Sequence, residues 1–370
     1  MTKPLCQYFG ICGGCSAQHI PYSLQLENKK NFLINSIKEK DISVFFGDEY
    51  HYRNRMDFLF YPGGIGFRKK GDGNKIIDIE NCVISDKRLN EFILELREFF
   101  NKCDCFNFKK HTGTFKYAVI RTPRDDSAIL FVLNPESSKL AAAIEKIRIF
   151  AKRTTANNVV VTYTSPETDM FDPGDTFAVK GTEFLKENYL GRKFLFPAQG
   201  FFQNNTVIAE KMQEYCNKLL ERHDTKDAHL LDLYAGVGTF GIINAGLFRD
   251  VTIIESVKPC IDAANINIKN NNITNAKAVV LDAKQLKKIK FENPLFVITD
   301  PPRSGMHQKT IEQLNVLKPD VIIYISCNVN QLRKDLLKFN RYKIKSDALF
   351  DLFPQTTHIE SVVELVLKNN

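Results

Sequence analysis

Residues 232–241 read DLYAGVGTFG and close the apolar run HLLDLY (229–234). Gly236, Gly238 and Gly241 satisfy G-x-G-x-x-G, and Glu255 falls in the next apolar run, VTIIES (251–256). Four more runs follow: AKAVVL (276–281), LFVITD (295–300), VIIYIS (321–326) and VVELVL (362–367). Helical stretches separate them, for example 259–271 and 306–317. Buried β-runs alternating with helices predict an α/β fold with a doubly wound, mostly parallel sheet. Working back from the glycine loop, the pattern changes. MDFLFYP, GIGFRKK, YAVIRTP, AILFVLN and NVVVTYT are short β-rich segments between turn residues such as Pro62, Gly63, Gly71 and Pro135. Helices near 89–99 and 138–151 interrupt them, and an earlier helix is expected through Leu24, Leu26, Phe32, Leu33 and Ile37. Three regions are therefore expected: a cysteine-rich part at 1–45 completed by Cys82, a β-rich central domain at 46–195, and the doubly wound domain at 196–370.

Composition restricts the function classes. The 370 residues are 44% hydrophobic and 25% charged, which excludes a disordered chain, a collagen-like chain and a disulfide-dense miniprotein. No run approaches 18 uninterrupted apolar residues, and MTKPLCQYFGICGGC lacks a signal-peptide core, so a cytoplasmic protein without membrane contact is expected. A net charge of +8 is weak support for a polyanionic partner. Nine cysteines, at 6, 12, 15, 82, 103, 105, 216, 260 and 327, are an odd number without an export signal. Metal binding or catalysis is the better expectation for them than paired disulfides.

The glycine loop taken alone suggests a dinucleotide, and hence a NAD-dependent dehydrogenase, with Glu255 on the ribose hydroxyls. Asp232 argues against that, because a buried carboxylate favours a cationic ligand and opposes a diphosphate. Methyltransferases that use S-adenosylmethionine carry an acid and small residues here. S-adenosylmethionine at Gly236, Gly238 and Glu255 is therefore preferred over NAD.

In an open α/β sheet the chemistry sits beyond the carboxyl ends of the strands. Those ends carry Asp300-Pro301-Pro302-Arg303 and Ser326-Cys327-Asn328. An acid or amide followed by Pro-Pro occurs there in methyltransferases acting on planar nitrogenous rings. Arg303 stands where the amino-methylating kind has an aromatic, so amino methylation is not expected. A thiolate suits a different target. Carbon 5 of uracil is a poor nucleophile until a thiolate adds to carbon 6, and a base must later remove the carbon-5 proton. Cys327 is the candidate thiolate; Glu360, just before the last strand, and His358 are rival bases.

Cys6, Cys12, Cys15 and Cys82 could together hold zinc or an iron–sulfur cluster; spacing does not choose between them. Basic clusters (Arg53/Arg55, Arg68-Lys69-Lys70, Lys109-Lys110, Arg121/Arg124) lie among Phe58, Phe60, Phe67 and Phe108, a composition suited to looped or single-stranded RNA. Cys103 and Cys105 have no assigned role.

Read jointly, Phe201-Phe202-Gln203-Asn204-Asn205, DLYAGVGTFG, DPPRSG, SCN and FPQTTHIE (353–360), with HYRNRMDF (51–58) and IIDIENC (76–82), resemble the RNA uracil-C5 methyltransferase family. Its members make 5-methyluridine in tRNA and 23S rRNA. The resemblance implies a class I methyltransferase domain. It also implies contacts from Gln203, Tyr234, Glu255 and Asp300 to S-adenosylmethionine, with Asp282 facing the adenine. Cys327 matches the nucleophile and Glu360 the proton acceptor. Cys6, Cys12, Cys15 and Cys82 match the ligands of a 4Fe–4S cluster with a structural or RNA-organising role. With its first cluster cysteine at position 6, the chain is expected to lack the small N-terminal β-barrel of some members. RNA recognition then falls to the middle region, and 23S rRNA and tRNA both stay open as targets. A monomer is expected, acting on a uridine flipped from its stack. A non-catalytic RNA-binding iron–sulfur protein is the remaining alternative.

Overall fold

The computed structural model describes residues 2–168 and 175–368. After the cysteine-bearing N-terminus comes helix α1 (Tyr22–Ile37). The helix forms where expected, with Leu33 and Ile37 buried among its apolar positions. Leu24 and Phe32 are exposed, and the buried positions are Gln25, Lys29, Leu33 and Ile37. These recur every four residues, and the two polar ones are buried because partners on a distant C-terminal loop receive them. Strand β1 (Ser43–Phe45) follows.

The central region is a seven-stranded sheet built from β2 (Arg55–Tyr61), β3 (Gly64–Lys69), β4 (Asp72–Asp78), β5 (Phe115–Arg121), β6 (Ala128–Leu133), β7 (Asn158–Tyr163) and β8 (Thr176–Lys180), in the order β4-β3-β2-β5-β6-β7-β8. Helix α2 (Lys87–Phe99) precedes β5. The pairings are antiparallel except β6–β7, which helix α3 (Leu140–Ala151) connects. Alternate strand residues bury against these helices, with Phe58, Phe60, Phe100, Phe115, Phe131 and Phe150 at the centre. That corrects the reading of Phe58 and Phe60 as stacking aromatics: they are 0% and 1% exposed.

A hairpin, β9 (Phe184–Tyr189) and β10 (Arg192–Pro197), and helix α4 (Thr206–Leu220) lead into the second sheet. Its strands are β11 (His229–Leu233), β12 (Asp250–Glu255), β13 (Ala276–Val280), β14 (Leu295–Thr299), β15 (Val321–Ser326), β16 (Tyr342–Phe350) and β17 (Glu360–Leu367), with β1 added. Helices α5 (Thr239–Asn244), α6 (Lys258–Asn270), α7 (Gln308–Leu317) and α8 (Val329–Leu336) alternate with them. The order is β1-β16-β17-β15-β14-β11-β12-β13. The strands from β13 to β15 are parallel, and β17 runs antiparallel to both its neighbours. The chain runs outward from β11 to β13, then returns to β14 on the other side of β11. That reversal opens a crevice at the carboxyl ends of β11 and β14.

The two sheets are joined by side chains of the central one. Arg121, 2% exposed, donates to Ala198 O at 2.9 Å and Gly200 O at 2.6 Å, so it is a structural residue rather than part of a surface cluster. Asn54 donates its backbone N–H to Asn204 O at 2.9 Å and its amide to Thr206 Oγ1 at 2.9 Å. Among the described residues no helix is long and apolar enough to cross a membrane.

Candidate active site

The glycine loop leaves β11 in left-handed backbone: Tyr234 has φ 57°, Gly236 54° and Gly238 82°. A side chain at Gly236 would meet nothing within 4 Å, so this turn faces open space, whereas one at Gly241 would meet Ile253 Cγ1 at 2.8 Å. Gly241 is therefore a packing glycine. Two loop N–H groups already have carboxylate acceptors: Gly236 donates to Glu255 Oε2 at 3.1 Å, and Gly241 to Asp232 Oδ2 at 2.8 Å. Donors held by acids do not cradle a pyrophosphate, and helix α5 is only six residues long. The dinucleotide alternative loses its physical basis here.

A cavity of about 330 Å³ opens in the crevice, lined among others by Tyr234, Glu255, Asp282, Lys284 and Pro302. Glu255 is fixed further by Ser256 and Val257 N–H groups at 2.6 and 3.0 Å. Asp282 pairs with Lys284 at 2.9 Å, and that hydrogen bond holds its carboxyl below the usual range. Gln203 does not line this cavity. It is half-buried in the loop before α4, where its carbonyl accepts from Asn54 Nδ2 at 3.4 Å. Asp300 directly follows β14, and burial pushes its carboxyl up to about 7. Burial does the same to Asp232, against the opposing Gly241 N–H, so it too lies at about 7.

Cys327 and Glu360 come from distant sequence positions to one sheet edge. Because β17 is antiparallel, its start lies beside the end of β15. Ser326 is in register with Ser361, whose hydroxyl donates to Ser326 O at 3.3 Å, and Cys327 and Glu360 are the next positions outward. Glu360 is 4% exposed; burial and then Asp300 hold its carboxyl well above the usual range. Burial first, then Glu360 and Asp300, pushes the Cys327 thiol up to about 11, while Arg303 opposes the rise. A second cavity, about 440 Å³, exposes Cys327 beside Arg303, Asn328, Thr357 and His358. Burial, then the Arg303, Lys29 and Arg53 cations, keeps the His358 imidazole below its ordinary pKa.

The opposite wall of this cavity is α1, which the sequence reading left without a role. Lys29 Nζ donates to Asp351 Oδ1 at 2.6 Å, and Gln25 Nε2 to Gln355 Oε1 at 3.0 Å. Their four-residue spacing was the available signal. Gln355, with φ 65°, also accepts the N–H groups of Ser16 and Ala17 at 3.0 Å, which ties the cysteine segment to the FPQTTHIE loop.

Cys6, Cys12, Cys15 and Cys82 line one further cavity of about 390 Å³. Among the described residues no group of three or more His, Cys, Asp or Glu side chains is arranged to hold a metal ion. Cys103 Sγ and Cys105 Sγ stand 3.4 Å apart, away from both cavities of the crevice.

The chain is similar along most of its length to known proteins. The model of the tRNA (Uracil-5-)-methyltransferase family matches residues 182–368, from β9 to the end of β17. The tRNA (uracil(54)-C(5))-methyltransferase of Pyrococcus horikoshii is 32% identical over 365 residues, which span 98% of this chain and 85% of that protein. The crystal structure of Pyrococcus abyssi tRNA (uracil-54, C5)-methyltransferase in complex with S-adenosyl-L-homocysteine superposes with a TM-score of 0.80 at 29% identity, over 96% of this chain and 86% of that one. A doubly wound class I methyltransferase sheet, a strand-end cysteine and acid, and similarity along nearly the whole chain lead to one conclusion: the chain belongs to the tRNA (uracil-5-)-methyltransferase family.

Proposed function

We propose that this protein methylates carbon 5 of a uridine in tRNA through a covalent adduct between Cys327 and carbon 6. The observation that carries the reading is the placement of Cys327 beside Glu360 across the β15–β17 ladder, with the thiol open to a cavity of about 440 Å³. The thiolate adds to carbon 6 and makes carbon 5 nucleophilic. Once carbon 5 is alkylated, Glu360 takes its proton and the thiolate leaves. Glu360 adjoins Cys327 across the β15–β17 ladder, while burial and the Arg303, Lys29 and Arg53 cations make His358 a weaker base, which favours Glu360 as the acceptor.

The crevice suits S-adenosylmethionine: open space at Gly236, a cavity beside Glu255, and carboxyls at Asp232, Asp300 and Glu360 that ionise reluctantly without a cation nearby. Tyr234, Gly236, Gly238, Glu255, Asp282 and Asp300 would hold it, and Gln203, which lies outside the cavity in the loop before α4, is a further expected contact. When bound, it supplies an electrophilic methyl group on a sulfonium. Between the two RNA classes, the family description and the Pyrococcus names favour tRNA over 23S rRNA.

Cys6, Cys12, Cys15 and Cys82 line one cavity, and the family resemblance of their spacing favours a 4Fe–4S cluster there over zinc. Residues 1–45 with Cys82 then form the cluster region. Residues 46–195 present RNA-facing cations such as the exposed Lys69, Lys70, Lys109 and Lys110, and residues 196–370 carry methyl transfer to a flipped uridine.

The test is trapping on tRNA that carries 5-fluorouridine, whose fluorine cannot leave as a proton. The wild type should form a denaturation-resistant complex with S-adenosylmethionine present, and Cys327→Ala should form none. Full methylation by Cys327→Ala would overturn the mechanism. Protein purified anaerobically should contain iron and acid-labile sulfide; zinc alone would remove the cluster.

A further inference from the structure

The cavity at Cys327 has an outer wall that the methyl-transfer chemistry does not account for. Helix α1 supplies it, through Gln25, Asn28, Lys29 and Phe32. The helix is anchored firmly to the loop opposite. Lys29 Nζ donates to Asp351 Oδ1 at 2.6 Å and to Phe353 O at 3.1 Å. Tyr22 donates its hydroxyl to Asp351 Oδ2 at 2.8 Å. Gln25 Nε2 donates to Gln355 Oε1 at 3.0 Å, and Gln25 Oε1 accepts the Gln355 N–H at 3.1 Å. These bonds hold α1 at a fixed distance from Cys327 and His358.

On this rigid wall Phe32 is 47% exposed, although Leu33 beside it is fully buried. Asn28 is also exposed and lies one turn earlier, so the two side chains share a face of the helix. Both line the same cavity as Cys327. An aromatic ring left half in water and a neighbouring amide, facing a pocket that must receive an extruded nucleotide, match the way unstacked bases are held in RNA-binding proteins.

We infer that α1 is a nucleotide-binding element. Phe32 is the platform on which a base of the bound RNA stacks at the mouth of the Cys327 pocket, and Asn28 hydrogen-bonds the edge of that base. Arg303, exposed at the rim of the same cavity, supplies a cation for the adjoining phosphate. The inference rests on the proposed RNA methylation at Cys327 and adds the substrate contact that this chemistry lacks.

The experiment measures methylation of a tRNA transcript by the wild type, Phe32→Ala and Phe32→Tyr, together with thermal stability and S-adenosylhomocysteine binding. Phe32→Ala should lower kcat/KM for tRNA about ten-fold, mainly through KM, as loss of one base–aromatic stack does. Its melting temperature and its affinity for S-adenosylhomocysteine should not change, and Phe32→Tyr should keep wild-type values. An unchanged kcat/KM in Phe32→Ala would overturn the inference while leaving the proposed reaction intact. A fall in melting temperature, or failure of Phe32→Tyr, would make the ring structural and overturn it too. If the wild type neither methylates nor traps any tRNA, the underlying reaction fails first and the inference falls with it.

Discussion

In the proposed mechanism Cys327 must ionise, yet it stands near two carboxyls that oppose its ionisation. Burial and the Glu360 and Asp300 carboxyls raise the thiol to about 11, so the resting protein holds it protonated at neutral pH. Removing one carboxyl should make the thiol more reactive even as it stops turnover. Glu360→Gln is therefore expected to react several-fold faster than wild type with iodoacetamide at pH 8, measured by mass spectrometry of the Cys327 peptide. With the proposed proton acceptor removed, the same variant should accumulate the covalent RNA adduct. An unchanged alkylation rate would show that Glu360 does not act on the thiol. Both positions were legible in the sequence, since a cysteine at a strand end and an acid at the start of the last strand are visible in one dimension. The pKa shifts were not, because desolvation depends on what the fold packs around each group.

Helix α1 shows why an element can be recognised while its orientation is not. Leu33 and Ile37 are buried as an apolar pattern suggests, but Leu24 and Phe32 are exposed while the polar Gln25 and Lys29 are buried. Lys29 lies 5% exposed against Asp351, which is fully buried, so each charge is stable only with the other. Lys29→Met should cost about 3 kcal/mol or more of unfolding free energy, because it strands the Asp351 carboxylate. Adding Asp351→Asn should recover part of that loss, and urea denaturation of the single and double variants measures both. If the double variant were as unstable as the sum of the two singles, the pair would not be coupled. Strand β16 was missed for a related reason. YKIKSDALF mixes charged and apolar positions, and it is a strand because β17 and β1 flank it.

At the scale of the whole molecule, the central sheet supports the cofactor crevice as well as any RNA surface. Asn54, from HYRNRMDF, spans the join: its N–H, carbonyl and amide bond Asn204, Thr122 and Thr206. Asn54→Ala should therefore lower stability by about 1–2 kcal/mol. It should also weaken S-adenosylhomocysteine binding through the loosened Gln203 loop, and calorimetry would show both. Stability loss with unchanged binding would separate Gln203 from the cofactor. The sequence by itself determined the doubly wound sheet, the glycine turn, the three N-terminal thiols and Cys82, and the acid and cysteine at the strand ends. All of these depend on local periodicity or on residue chemistry at a chain position. Only the tertiary structure decided that β17 runs antiparallel and brings Glu360 to Cys327, that α1 walls their pocket, and that Phe58, Phe60 and Arg121 lie inside. Those outcomes come from contacts between residues far apart in the chain, formed when burial selects one packing of elements whose local pattern allows several.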